Sequence, residues 1–138
     1  MALHPGVSQL MDAETVTGAA TVYGTKWVRA GGAEAFAVWV LLTDETTPKV
    51  DVFLDITPFG PATISDADST DTGSYTSVQI VDDLATADVL QRYTSETMEN
   101  GDNELDYPFT RCRARVVGDA TNGACNVSVW LGYAEENR

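Results

Sequence analysis

The sequence predicts a single all-β domain, a sandwich or jelly roll of about eight strands with an N-terminal arm and at most one short helix. Its 138 residues suffice for one core and are too few for two ordinary domains. Short runs rich in Thr, Val and aromatic residues alternate with clusters of Gly, Pro, Asp and Asn, which is typical of strands joined by turns. The hydrophobic content of 43% is that of a globular chain.

The chain is expected to begin with an arm and to continue as one domain. Residues 1–14 lack periodicity and contain Pro5 and Gly6, so we expect an arm that becomes ordered only when a partner holds it. This segment has neither the basic nor the apolar region of a secretory signal. The sandwich domain then covers residues 15–138. Its early strands are predicted at residues 15–23, 26–29, 34–42, 50–56 and 75–81.

Residues 34–42 and 50–56 are the clearest early strands, and we predict that they pair as a hairpin. Pairing Leu42 with Val50 brings the two apolar faces together in register. The same register sets Trp39 opposite Phe53 on the reverse face, where either another part of the chain or a neighbouring subunit is expected to cover them. The apolar faces consist of Phe36, Val38, Val40 and Leu42 in the first strand and Val50, Val52, Leu54 and Ile56 in the second.

Two loops and one ambiguous segment separate these strands from the C-terminal part. Residues 57–73 form a long loop rich in Pro, Gly, Ser, Thr and Asp, and residues 96–106 form an acidic one. Residues 82–92 begin with a capping aspartate and carry apolar residues at helical spacing, which predicts a short helix. A strand at residues 89–94 is the alternative.

Residues 109–117 and 126–133 flank Asn122-Gly123, a dipeptide typical of a two-residue hairpin turn. Arg111, Arg113 and Arg115 share one face of this predicted hairpin, with Arg115 opposite Trp130. Two interpretations of the arginines stay open: pairing with carboxylates on a neighbouring strand, or docking on an acidic partner with Trp130 as the aromatic anchor. The opposite face is apolar and pairs Val116 with Val129, Ala114 with Leu131 and Cys112 with Tyr133.

The charge and the residue types present exclude several classes of function. The 21 acidic and 8 basic side chains give a formal charge of -13, which disfavours binding to nucleic acid or to an anionic membrane. The one histidine, His4, lies in the expected arm, so neither a histidine-based triad nor a typical zinc site is expected in the folded part. Asp51 and Asp55 share a strand face but should lie about 13 Å apart, beyond the spacing of glycosidase carboxylates. We therefore predict no enzymatic activity and no cofactor.

The cysteines and two acidic motifs complete the candidate chemistry. In the predicted hairpin, Cys112 and Cys125 lie about eight residues out of register, too far apart for a disulfide, so we expect two free thiols with Cys112 buried. The motif Asp66, Asp68, Asp71 and Gly73 resembles part of a calcium loop, but Ser77 stands where such a loop has glutamate. We expect a solvated loop and no metal site, both here and at the acidic cluster Glu99, Asp102, Glu104 and Asp106.

The order of these features resembles small β-sandwich virion proteins of tailed bacteriophages, among them capsid decoration or cement proteins. The resemblance covers the apolar strand pair, the Thr/Asp-rich loop, the acidic loop, and the segments FTRCRARVV and NVSVWLGY. It implies a protein on the capsid surface of the virion that binds the major capsid protein and copies of itself, as a homo-oligomer. In such proteins an N-terminal arm commonly reaches neighbouring capsid subunits, which residues 1–14 would suit. The contacts proposed from the predicted strand faces are Arg111, Arg113, Arg115, Trp130, Trp39 and Phe53.

Two other functions stay open on the sequence. A carbohydrate-binding module would use an exposed aromatic ring, Trp27 or Trp130, as the surface on which a sugar stacks, with calcium in the loop at residues 66–71. A tail or neck component of the same virions would share the sandwich and its charged face. Binding to glycans would favour the first alternative, and the position of the protein in the particle would identify the second.

Overall fold

The computed structural model describes residues 3–29, 33–58, 75–94, 96–99 and 109–136. These residues form nine strands, and among them there is no helix long and apolar enough to cross a membrane. The strands are β1 Leu3–Thr17, β2 Thr21–Tyr23, β3 Val28–Arg29, β4 Ala33–Thr46, β5 Val50–Thr57, β6 Thr76–Leu84, β7 Gln91–Tyr93, β8 Arg111–Gly118 and β9 Ala124–Glu136.

The strands form two antiparallel sheets, which confirms the predicted all-β sandwich. The four-stranded sheet has the order β1-β9-β4-β7. The five-stranded sheet has the order β2-β8-β5-β6, with β3 also pairing with β8. Because β1 pairs with β9 from Leu3 and Glu136 to Thr17 and Ala124, the two ends of the described chain lie side by side in one sheet.

The core is built from the inward residues of both sheets. Every second side chain of a strand points to the same face, and the inward faces predicted from the sequence are buried here, with Phe36 and Tyr133 partly buried against the core. The fully buried core residues of the long strands include Val38, Val40 and Leu42 of β4, Val50, Val52 and Leu54 of β5, Cys112, Ala114 and Val116 of β8, and Val127 and Leu131 of β9. Both cysteines are free and Cys112 is buried, as predicted, and Cys125 is buried as well.

The hairpin predicted for β4 and β5 is wrong, although both strands exist. β4 pairs with β7 and β9 in one sheet, whereas β5 pairs with β6 and β8 in the other. Their apolar faces enter the same core from different sheets, so matching apolar faces do not mean adjacent strands. Trp39 consequently lies opposite Trp130, and Phe53 lies opposite Arg115.

The predicted C-terminal hairpin is also wrong, because β8 and β9 belong to different sheets. Asn122 and Gly123 do not adopt the positive φ of the expected turn. Instead the buried side chain of Asn122 accepts a hydrogen bond from the backbone N–H of Lys49 and donates one to the carbonyl of Gly18. Asn122 thereby joins three loops at one end of the sandwich, an interaction between distant parts of the chain that outweighs the local turn preference.

The expected arm lies in a strand, and the expected helix covers the end of one strand, a loop and the start of another. β1 runs through residue 14, pairs with β9 of the same chain, and buries Leu10 and Met11. Residues 82–92 contain no helix, since β6 continues as far as Leu84, which pairs with Val50, and β7 follows as the predicted alternative strand. The helical spacing forms no apolar face, because Leu84 is buried whereas Leu90 is exposed.

Candidate functional site

The outer face of the five-stranded sheet carries the arginines of β8. Alternation along β8 turns Cys112, Ala114 and Val116 towards the core, and it places Arg111, Arg113 and Arg115 on the outer side, as predicted. The neighbouring strand β5 supplies a carboxylate, because Asp55 pairs directly with Arg113. Ser77 of β6 pairs with Asp55 from the other side.

The Asp55 carboxylate is the centre of a buried polar network. It has no exposed surface and accepts hydrogen bonds from Nη2 of Arg113 at 2.9 Å and from Nε of Arg115 at 3.3 Å. The hydroxyl of Ser77 donates to the same carboxylate at 2.7 Å and accepts from Nη2 of Arg115 at 2.8 Å. One carboxylate thus pairs with two guanidinium groups, and a buried charge is tolerated when it is paired and hydrogen-bonded in this way.

Aromatic rings cover this network. The guanidinium carbon of Arg113 lies 4.5 Å from the ring centroids of Tyr23 and Trp27 and 5.1 Å from that of Tyr75. Arg113 is only 1% exposed as a result. Burial, followed by the negative charge of Asp55, raises the pKa of Tyr75. The cluster therefore holds the segment around Trp27 against the sheet through cation–π contacts, and Arg113 makes its contacts within the chain.

Two side chains at the margin of this network reach the surface. Arg115 lies with its guanidinium carbon 4.3 Å from the ring centroid of Phe53, and both side chains are half-buried.

Trp27, one of the two residues expected to stack on a sugar, is 6% exposed and lies 5.8 Å from the ring of Tyr75. Tyr23 and Tyr75 were not among the predicted site residues, because sequence periodicity gives no signal for their contacts with Arg113. Tyr23 reaches this network only because β2 pairs with β8.

The outer face of the four-stranded sheet carries a row of four residues, one from each strand. Gln9 of β1 lies opposite Trp130 of β9, Trp130 lies opposite Trp39 of β4, and Trp39 lies opposite Arg92 of β7. We call these residues the tryptophan row. Both indoles are half-buried, Gln9 and Arg92 are exposed, and the Arg92 guanidinium carbon is 5.7 Å from the Trp39 ring centroid.

Small and apolar residues surround the tryptophan row. A Cβ atom at Gly132 would lie 3.3 Å from Nε1 of Trp39, so the glycine leaves room for the indole to lie over the sheet. Val7 pairs with Gly132 on the same outer face and is 67% exposed. Ala37 pairs with Gly132 from the other side. This face is accordingly apolar at its centre.

The six predicted contact residues thus belong to the outer sides of two different sheets, and two of them, Arg111 and Arg113, are buried there. Arg111, Arg113, Arg115 and Phe53 belong to the five-stranded sheet, and Trp39 and Trp130 belong to the four-stranded sheet. The structure brings the two tryptophans together and joins Phe53 to Arg115. Sequence analysis missed Arg92, because it lies in the segment for which a helix was predicted.

One group of carboxylates in the described part of the chain has a geometry that could hold a cation. Oxygens of Asp51, Asp82 and Asp83 lie within 4.8 Å of one another, and the Lys49 ammonium is 4.0 Å from Asp83. A hydrogen bond with Asp51, together with burial and the neighbouring negative charges, raises the pKa of Asp82. The three carboxylates lie at the surface beside Lys49, an arrangement that is common among solvated acidic side chains. The predicted acidic motif at residues 66–73 lies outside the described residues.

No protein-family model matches the sequence, and no curated protein matches it. The fold does match solved structures of infectious bursal disease virus. The VP2 subviral particle gives a TM-score of 0.60 at 12% identity, the T=1 particles derived from this virus give 0.59 at 9%, and the Gx strain gives 0.58 at 11%. Each match covers 97% of this chain and 32% of the viral chain. This chain therefore spans about a third of the length of these viral chains. At these sequence identities the likeness shows the fold alone.

Proposed function

We propose that this protein is a non-enzymatic structural component of a virus particle, a decoration or cement protein that docks on the capsid surface and contacts copies of itself. The observation that carries the proposal is the sandwich shared over 97% of the chain with VP2 of subviral particles. The bacteriophage assignment rests on the order of sequence features, from the apolar strands to the arginine strand.

The chemistry of the two outer faces supports docking rather than catalysis. Each face has aromatic rings beside guanidinium groups, the residue types that dominate the binding energy of protein interfaces. On the five-stranded sheet, Phe53 and Arg115 are the accessible pair, and we assign them the contact with the major capsid protein. The formal charge of -13 keeps free copies soluble before they dock.

Carbohydrate binding is the weaker alternative. Of its two proposed stacking residues, Trp27 is buried against the arginine network, which leaves only Trp130 beside Trp39. A glycan array separates the two functions. Binding to a sugar that is lost in Trp130→Ala would favour the carbohydrate-binding module over the capsid role.

The direct test is binding to shells. Purified protein is mixed with empty shells assembled from a bacteriophage major capsid protein, and the mixture is separated on a density gradient. We expect comigration at a fixed ratio to the capsid protein, reduced in Phe53→Ser and retained in Arg29→Ser, which changes an exposed residue of the same sheet. Absence of the protein from purified particles, together with no comigration, would overturn the proposal.

A further inference from the structure

We propose that the outer face of the four-stranded sheet is a two-fold interface between two copies of this chain, in which Arg92 of each copy contacts the Gln9–Asp12 pair of the other. The inference rests on the proposed function in one respect, that a shell-docking protein contacts copies of itself. The contact is otherwise argued from the residues of this face.

The centre of the face has the composition of an interface core. Its outward residues are Ala37, Trp39 and Leu41 of β4 and Ser128, Trp130 and Gly132 of β9, and none of these six carries a charge. In a chain with 21 acidic residues, an uncharged centre is where two copies can approach each other. Tryptophan at the centre and depletion of charge are the features that distinguish interface cores from other surface.

The two sides of the same face carry opposite charges. Arg92 lies on β7 at one side of the sheet, and Gln9 lies on β1 at the other side. The Gln9 amide donates to the carboxylate of Asp12 at 3.5 Å, which places that carboxylate beside the row. Three strand spacings separate β7 from β1, about 14 Å, so Arg92 does not reach Asp12 within one chain.

A two-fold axis between β4 and β9, parallel to the strands, brings the uncharged centres of two copies together and pairs their opposite charges. It lays one sheet over the other and exchanges their sides, so Arg92 of each copy meets the partner's Gln9 and Asp12. The four tryptophans of the two copies then lie together at the centre. Such a contact is isologous, because the same patch is used by both copies, and closed two-fold pairs are the commonest oligomers.

The distribution of charge favours a second copy over other occupants. A cation at one side and a carboxylate at the other are complementary to the same surface after a two-fold rotation. An acidic partner would meet Asp12, and a basic partner would meet Arg92. The face is therefore matched to itself better than to a partner of uniform charge.

A charge-swap experiment on the full-length protein tests this interface. Sedimentation equilibrium measures the dimer Kd of the natural chain, of Arg92→Glu, of Asp12→Arg and of the double variant. The buffer contains about 150 mM NaCl, so that repulsion between distant charges of the two copies is screened. We expect each single variant to raise the dimer Kd by about tenfold and the double variant to restore it to within about threefold. Since Asp12→Arg reduces the net negative charge, general repulsion alone would predict tighter association for this variant.

The control is Arg29→Glu, which makes the same charge change at an exposed arginine of the other sheet. It should leave the Kd unchanged, and circular dichroism should show that all variants are folded. A natural chain that stays monomeric at its highest soluble concentration, or a double variant that does not recover, overturns the interface. A monomer that still comigrates with shells overturns this inference alone, whereas a dimer that binds no shell overturns the proposed function.

Discussion

At the scale of single residues, the Asp55 carboxylate is the ion-pair partner of two guanidinium groups. It is fully buried, yet it accepts hydrogen bonds from Arg113, Arg115 and Ser77. A buried carboxylate loses its hydration, and the two guanidinium groups and one hydroxyl replace it. Removing the carboxylate would take away one ion-pair partner of Arg113, whose guanidinium group is buried beside three aromatic rings.

We therefore predict that Asp55→Asn destabilises the fold by about 3–5 kcal/mol, the usual effect of removing one partner from a buried ion pair. Urea unfolding followed by tryptophan fluorescence measures the change. Asp88→Asn is the matched control, because Asp88 is exposed and its φ of 60° is readily adopted by asparagine. The control should change the free energy of unfolding by less than about 0.5 kcal/mol. Equal effects of the two substitutions would contradict the role of Asp55.

Cys112 permits a second prediction, on pH. Burial raises the pKa of its thiol to about 12, whereas the thiol of an unfolded cysteine has a pKa of about 8.5. Between these values only the unfolded chain releases the proton, so this thiol's contribution to stability is complete below the lower pKa and is lost as the pH rises through the window. Stability of the natural chain should fall more steeply above pH ~8.5 than that of Cys112→Ala.

The same burial determines how Cys112 reacts with alkylating reagents. At pH ~8 iodoacetamide should leave Cys112 unmodified in the folded protein and modify it in urea, because the thiolate is the reactive form. Mass spectrometry of peptides reads the result for each cysteine separately. Rapid modification of Cys112 in the folded state would show that the thiol is accessible and ionised.

At the scale of elements, β1 is the strand whose role differs most from the sequence expectation. It lies at the edge of the four-stranded sheet, and register shifts between Gln9 and Met11 and between Met11 and Glu14 interrupt its pairing with β9. Such bulges are common in edge strands, which they protect against uncontrolled pairing. Because Leu10, Met11 and Val16 are buried, β1 also closes one side of the core.

If β1 belongs to the core, truncating its buried residues should destabilise the isolated protein. We expect Met11→Ala to lower the free energy of unfolding by about 2–5 kcal/mol, since it leaves a cavity. Val7→Ala, an apolar truncation at an exposed position of the same strand, should cost less than about 0.5 kcal/mol. Thermal melts at low protein concentration compare the two. An unchanged melt for Met11→Ala would mean that the segment is an arm and not part of the domain.

At the scale of the whole molecule, the formal charge of -13 on 138 residues opposes compaction. The ion pairs Lys49–Asp83 and Lys49–Asp119, at 4.0 and 3.9 Å, lie at the surface, where such pairs contribute little. Apolar burial between the two sheets therefore has to outweigh a general repulsion among carboxylates.

This balance predicts a stability that increases with salt. Raising NaCl from about 10 mM to about 500 mM shortens the Debye length and should raise the Tm by several degrees near pH 7. Near pH 4.1, the isoelectric point, the same salt should have little effect because the net charge is close to zero. Differential scanning calorimetry gives both comparisons. A Tm that falls with salt at pH 7 would show that attractive surface pairs outweigh the repulsion.

The sequence by itself determined the class of the fold and the inward and outward faces of strands such as β4, β5 and β8. Val38, Val40 and Leu42 had to point inwards, and the three arginines of β8 had to point outwards, because side chains alternate with a period of two whatever the neighbouring strand is. The short polar and glycine-containing segments between the runs likewise indicated many short strands. These features are local, so a local pattern suffices to predict them.

Only the tertiary structure decided which strands are neighbours. An apolar face fits equally well beside a partner in the same sheet or opposite one across the core, so β4 with β5 and β8 with β9 were both assigned to hairpins that do not exist. The pairings of Asp55 with Arg113 and of Trp39 with Trp130 depend on that choice. Contacts between residues far apart in the sequence select among such arrangements, and their free energy is summed over the whole molecule rather than encoded in any one segment.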